Sequence, residues 1–183
     1  LEKWGLCYDS LSADNPGLVM ARVSGFGQTG PYASRAGYAL IGEAMGGLRY
    51  ITGEPDRAPA RAGISVGDSL AGLHAALGTM MALHARHRSG KGQVVDAAIY
   101  ESVLSVMENL ITEYGLTGYI RERSGSVLPG IAPSNAYPTR DGALVVIGAN
   151  QDTLFKRLCE AMGRPDLAAD PRYAGHAARG ENQ

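Results

Sequence analysis

From Leu70 to Met81 apolar side chains recur at three- and four-residue spacing, with Leu70, Leu73, Leu77 and Met80/Met81 on one stripe. That is the period of an α-helix with one buried face. The stripe predicts a helix that opens just after Gly67 and Asp68 and buries these side chains. The helix closes with Arg86, His87 and Arg88 in its last turn and Gly90 just beyond, cations and a glycine where the helix dipole and a left-handed cap favour them. A strand is expected at once, from Gln93 to Ile99. A second helix, Tyr100 to Tyr114, follows it, and its row of Val103, Met107, Leu110/Ile111 and Tyr114 reads as core.

Upstream, Leu1 to Tyr8 reads as a short helix followed by a second turn, Asn15-Pro16 as a breaker, and Leu18 to Ser24 as a strand apolar on both faces, the mark of a buried parallel strand. Gly25-Phe26-Gly27-Gln28-Thr29-Gly30 satisfies GxGxxG after that strand. However, Pro31 to Gly37 intervene where a nucleotide-binding helix would open, and no clean strand ending in an acid follows at the expected distance. The match is therefore discounted as a nicotinamide site. Tyr38 to Leu48 predicts a short helix whose Ala39, Gly42, Ala44, Gly46 and Gly47 permit a close neighbour. Thr52 to Ala60 is a polar loop, and Arg57 within it and Arg61 just after it read as solvated charges in preference to phosphate contacts.

Downstream, Thr117 to Ser134 is irregular. Asn135 to Thr139 and Ala143 to Ile147 flank Arg140-Asp141-Gly142, a hairpin signal. A last helix is expected from an Asn150 cap, with Leu154, Phe155, Leu158 and Met162 inward and Gly163 at its end.

Composition narrows the class. A chain of 183 residues, 45% hydrophobic and 19% charged, is long enough for a real core in one domain or two small ones. A net charge of -1 makes no case for nucleic acid or a membrane surface, and no apolar run approaches the roughly 18 residues of a membrane span. Cys7 and Cys159 suggest no disulfide framework and fit a reducing, cytoplasmic compartment. His74, His84, His87 and His176 form no metal-ligand spacing with them, so no metal site is expected. The chain opens Leu-Glu-Lys-Trp, with neither a methionine nor a signal peptide, and stops just after a helical segment; it reads as a piece of something longer.

The chemistry-bearing candidate is Asp68. On spacing alone it reads as an N-cap, since Asp is a preferred capping residue. The helix dipole does not make it a better nucleophile: about 0.3–1 kcal/mol lowers a carboxyl pKa by less than one unit, and an Asp is already ionised near pH 7. Reactivity would have to come from dehydration and close placement against an electrophile.

The string GDSLAGLHAALGTMMALHARHRSGKGQVVDAAIYESVL resembles the class III CoA-transferases, the carnitine CoA-transferase and bile-acid-inducible F family. The resemblance continues in VSGFGQTGPY, GYALIGEAMGGL, IAPSNAYPTRDG and LCEAMGRPDLAADPRY, in order along almost the whole chain. It implies an α/β chain: the central part of a family III fold, with residues 1–116 part of a Rossmann-like large domain that includes the active-site helix, and residues 117–183 a linker loop and part of a small α+β domain. The first half of such proteins, which carries much of the CoA-binding surface, would be missing.

The resemblance further implies that Asp68 is the nucleophile in a transfer of CoA from an acyl-CoA donor to a carboxylic acid acceptor. It places Tyr38 and Gly67 beside the CoA thioester and the Gly25–Gly30 loop in the cleft wall. Gly125 and Gly130 become the nearest equivalents of a glycine-rich loop over the aspartyl intermediate, with an ordinary surface loop as the other reading. Coenzyme A enters as acyl-CoA substrate, no metal is implied, and the whole protein would be an intertwined homodimer. In the related α-methylacyl-CoA racemases a histidine stands where Tyr38 is. A tyrosine, with an ordinary pKa of about 10, is a poor base at neutral pH and disfavours two-base racemisation. A non-catalytic piece competent only for packing with the missing halves is the third reading.

Overall fold

In the computed structural model, which describes Leu1–Gln183, β1 (Met20–Ser24) pairs in parallel with β2 (Val94–Ala98), in register from Met20 opposite Val94 to Ser24 opposite Ala98. Before β1 lie a 3-10 turn at Glu2–Trp4 and helix α1 (Tyr8–Asp14), not the expected helix from Leu1 to Tyr8. Gly5 is the reason: it takes a left-handed φ of 70° and ends the turn. β1 is parallel as expected, but alternates between half-buried and exposed, with Val23 on the open face.

The long connection from β1 to β2 carries α2 (Ala39–Met45), α3 (Leu48–Ile51) and α4 (Val66–Ser89). Helix α4 ends as its sequence signals require: Gly90 at φ 69° donates its N–H to the Arg86 carbonyl at 2.8 Å. Its packing face is not the expected one. Leu73, Leu77, Met80 and Met81 are 67, 60, 65 and 64% exposed, and the buried stripe is Gly67, Ala71, Ala75 and Ala82. Small residues let the helix lie close on the sheet, so close that a Cβ on Gly78 would fall 2.6 Å from Val95 Cγ1. Two helical stripes of α4 are apolar, and periodicity does not say which one packs.

After β2 the expected single helix is two, α5 (Ile99–Leu104) and α6 (Leu110–Thr117). Between them the chain closes i to i+3 turns from Val103 to Val106 and from Leu104 to Met107, and Glu108 adopts a φ of 52°, which no helix continues through. Val103 and Met107 are core as expected, whereas Ile111 and Tyr114 are exposed. The close neighbour predicted for α2 is α5: a Cβ on Gly42 would fall 2.5 Å from Ile99 Cγ2, and one on Gly46 2.6 Å from Val103 Cγ1. The GxGxxG loop opens no helix before Ala39. It is fastened instead by Asp96, whose carboxylate accepts the Gln28 N–H at 2.7 Å.

The chain divides into two units, one of Leu1–Thr52 with Pro59–Glu122 and one of Gly53–Ala58 with Arg123–Gln183. The main division falls between Glu122 and Arg123. In the second unit β3 (Ser134–Pro138) and β4 (Leu144–Gly148) form the expected antiparallel hairpin, with Gly142 at φ 83° in the turn. Then come α7 (Asp152–Ala161), α8 (Pro165–Ala168), a 3-10 turn at Pro171–Tyr173 and α9 (His176–Glu181).

The cap of α7 is Gln151, not Asn150. Leu154 and Met162 are exposed, and Cys159, not an expected core residue, is fully buried. The unit is held by Arg179 of α9, 3% exposed. Its guanidinium donates to the carbonyls of Ala132 (3.3 Å), Tyr173 (3.2 Å) and Asn150 (2.7 Å) and to Asp152 Oδ1 (2.6 Å), and it lies 4.9 Å over the Phe155 ring. No helix of the chain is long and apolar enough to cross a membrane.

Candidate active site at the start of the long helix

Helix α4 begins one turn earlier than the apolar stripe suggested, with Ser65 as its N-cap and Asp68 as its third residue. Asp68 is therefore not the cap. An acid in the first turn still sits well against the helix dipole, but its carboxylate is exposed and has no hydrogen bond or ion pair of its own.

Nor does Ser65 cap the helix with its side chain. Its hydroxyl accepts instead from Arg61 Nη2 at 3.2 Å, which gives Arg61 a partner in place of pure solvation. A helix start leaves several N–H groups without intrahelical acceptors. Here one of them, on Gly67, is taken from outside: the Glu43 carboxylate of α2 accepts it through Oε1 at 3.4 Å.

Gly67 is buried where α2, α4 and α5 meet. A Cβ there would fall 2.9 Å from Ile99 Cγ2, 3.4 Å from Val103 Cγ2 and 3.4 Å from the Ala39 carbonyl oxygen. The residue before Asp68 is thus a glycine because three elements converge on it.

Tyr38 is the N-cap of α2 and is 77% exposed. Its neighbour Ala39 abuts Gly67, so the starts of α2 and α4 adjoin. Tyr38 and Asp68 stand exposed at these two starts. Gly125 and Gly130 belong to the second unit. Both adopt positive φ, 64° and 75°, and the Gly125 N–H is already donated to the Gly53 carbonyl at 2.9 Å.

His74, on the same helix as Asp68, places Nδ1 2.9 Å from the Leu70 carbonyl and Nε2 3.2 Å from Ser105 Oγ. Since a carbonyl only accepts, Nδ1 carries a proton there. No three His, Cys, Asp or Glu side chains converge as a metal site would require.

The residue sequence reading missed is Glu43. It is 1% exposed, and its Oε2 has no hydrogen-bond partner. A signal was present: Ala39, Gly42, Glu43 and Gly46 share one helical face, and a lone acid among small residues marks a charge carried into a close contact.

Known proteins resemble this chain in sequence and fold. The model of CoA-transferase family III matches residues 1–183. The succinyl-CoA–D-citramalate CoA-transferase of Chloroflexus aurantiacus is 66% identical over 183 residues, 100% of this chain and 46% of that protein. The beta subunit of the succinyl-CoA–L-malate CoA-transferase of the same organism is 44% identical over 181 residues, 98% of this chain and 45% of its own. Among solved structures, a CAIB/BAIF family protein from Brucella suis superposes with a TM-score of 0.81 at 40% identity, covering 100% of this chain and 48% of that one. Rv3272 from Mycobacterium tuberculosis gives 0.82 at 30% identity, covering 99% and 47%. The chain spans about half the length of the curated relatives it matches. With a family match from its first residue to its last, and solved family members that share its mixed helix-and-strand fold, the chain belongs to CoA-transferase family III.

Proposed function

We propose that this chain is the central part of a longer CoA-transferase and that Asp68 is its nucleophile. The observation that carries the reading is the state of Asp68: an exposed carboxylate with no partner of its own, at the start of a long helix whose neighbouring residue is pinned from a second helix. A carboxylate that nothing else engages is available to an incoming electrophile.

An Asp68 carboxylate oxygen attacks the thioester carbonyl carbon of the donor. The carbon–sulfur bond breaks, and CoA leaves as the thiolate with the electron pair, giving a mixed anhydride. The thiolate then attacks the Asp68 carboxyl carbon, which releases the donor acid as its carboxylate and leaves an aspartyl-CoA thioester. The acceptor carboxylate takes CoA by the same two steps in reverse. One thioester is exchanged for another without net proton transfer, and covalent relay divides one hard step into easier ones. The exposed Tyr38 belongs beside the thioester in this reading. The relatives named above make succinyl-CoA the first donor to test and short hydroxydicarboxylates such as D-citramalate and L-malate the first acceptors.

The test is hydroxylamine added during turnover of the full-length protein. An activated acyl group at Asp68 is converted to a hydroxamate, whereas a free carboxylate is not. Inactivation is expected only when the donor is present, with the adduct on the peptide containing Asp68. An adduct on another carboxylate, with that peptide unmodified, overturns the reading. The isolated 183-residue chain, about half the length of its relatives, is expected to turn nothing over, and tight CoA binding to it in a calorimeter would contradict its proposed partial character.

A further inference from the structure

We propose that Glu43 is the positioning residue of Asp68. The inference rests on the assignment of Asp68 as nucleophile. Asp68 makes no side-chain bond of its own, so its place is only as well defined as the first turn of α4. First turns fray, because their N–H groups have no acceptors within the helix. The usual remedy is the side chain of the cap residue, and here the Ser65 hydroxyl is engaged by Arg61. What holds the turn is Glu43, which reaches from α2 to accept the N–H of Gly67, the residue immediately before Asp68.

This is an expensive way to cap a helix. The Glu43 side chain is 1% exposed, and Oε2 is buried without a donor. A buried acceptor left unmet destabilises the fold, and packing alone has no use for it: Ile99 and Val103 already fill the contact between α2, α4 and α5, and an apolar side chain of similar size would occupy the same space. What Glu43 adds over such a side chain is one acceptor, placed at the amide beside the candidate nucleophile. Attack on a thioester needs the reacting atoms held within about 3–3.5 Å and aligned. A pinned first turn supplies that alignment to a carboxylate that has no other constraint.

The experiment compares Glu43→Leu, Glu43→Gln and Asp68→Asn in the full-length protein with succinyl-CoA as donor. It reads kcat, KM and the rate at which hydroxylamine traps the Asp68 acyl group. Leucine removes the acceptor and keeps the volume. E43L is expected to lower kcat and the trapping rate by about 10- to 100-fold. The donor KM should stay within about threefold and the final amount trapped should be unchanged, because every site remains competent but is slower to align. A purely structural loss would lower the final amount trapped instead. Glutamine keeps an acceptor oxygen, and E43Q is expected to recover kcat to within about threefold of the starting enzyme.

The proposal is overturned if E43L folds with kcat within about twofold of the starting enzyme, or if a folded E43Q is as slow as E43L, which would make charge rather than the acceptor the operative property. If E43L does not fold, E43Q decides alone: recovery upholds the proposal, and a loss of more than about tenfold in a folded enzyme overturns it. D68N separates the two readings. Full activity in that variant removes the nucleophile, and with it this role for Glu43; a dead D68N beside an unimpaired E43L removes only the role of Glu43.

Discussion

Glu43 in the first unit and Arg179 in the second are buried to nearly the same depth, 1% and 3% exposed, and their surroundings treat them differently. Arg179 reaches four acceptors and a ring face, so its charge is spread over Ala132, Tyr173, Asn150, Asp152 and Phe155. Glu43 has a single long bond to Gly67 and a second oxygen with none. A buried charge costs much to desolvate, and full hydrogen bonding is what offsets that. By this measure Arg179 is a fastening of the second unit. Glu43 is a buried acid whose one interaction falls next to the residue proposed to do the chemistry.

The largest effect that sharpens the contrast is at Asp68. Asp68→Asn in the full-length protein is expected to lower transfer by on the order of 10³-fold or more, since an amide offers no nucleophilic oxygen. The melting temperature should hardly move, because the exposed side chain has no bond to lose. Retention of substantial activity would remove the functional half of the comparison.

Arg179→Met tests the other half. It leaves the Ala132, Tyr173 and Asn150 carbonyls without this donor, while Asp152, 76% exposed, passes to water, and buried acceptors left unmet cost about 1–3 kcal/mol. Urea unfolding of the chain should show a loss of that size, and amide exchange should place it in residues 123–183. A loss below about 1 kcal/mol, the size of a surface ion pair, would show that Arg179 fastens nothing.

A comparable effect is expected at Gly67. Gly67→Ala puts a methyl 2.9 Å from Ile99 Cγ2 in a filled junction, and overpacking of this kind costs about 1–3 kcal/mol. A neutral or stabilising result in thermal melting would mean that the junction of α2, α4 and α5 has room, and that Gly67 has some use other than close packing.

The smallest effect belongs to an exposed pair. The Arg172 guanidinium, followed by the Arg172 backbone N–H, holds the Asp170 carboxyl below its ordinary value. A depressed folded pKa means that the contribution is fully present above the unfolded value of about 3.9 and fades as pH falls through the folded one. The stability difference between the parent chain and Asp170→Asn, followed by urea unfolding against pH, should therefore be small at neutral pH and shrink below about pH 3.9. A difference that grows on acidification would reverse the sign of the interaction.

Features encoded by neighbours in the chain were legible without a structure. The cations and Gly90 at the end of α4 make a local cap, Asp141-Gly142 makes a local turn, and both stand where the residues put them. The parallel pairing of β1 was readable from its apolar run, and Asp68 was picked out by the glycine before it and the helix after it. Tertiary structure alone decided the rest. It chose the small stripe of α4 over the large one, because close approach to β2 has no room for leucine at Gly78. It broke the helix after Leu104, where Glu108 turns to positive φ. It took the cap away from Asp68 and passed that task to Glu43, a residue on another helix, 24 positions before Gly67. Local signals report what a backbone can do with its own neighbours, whereas the partner of a buried charge is chosen by whichever distant element the fold brings against it.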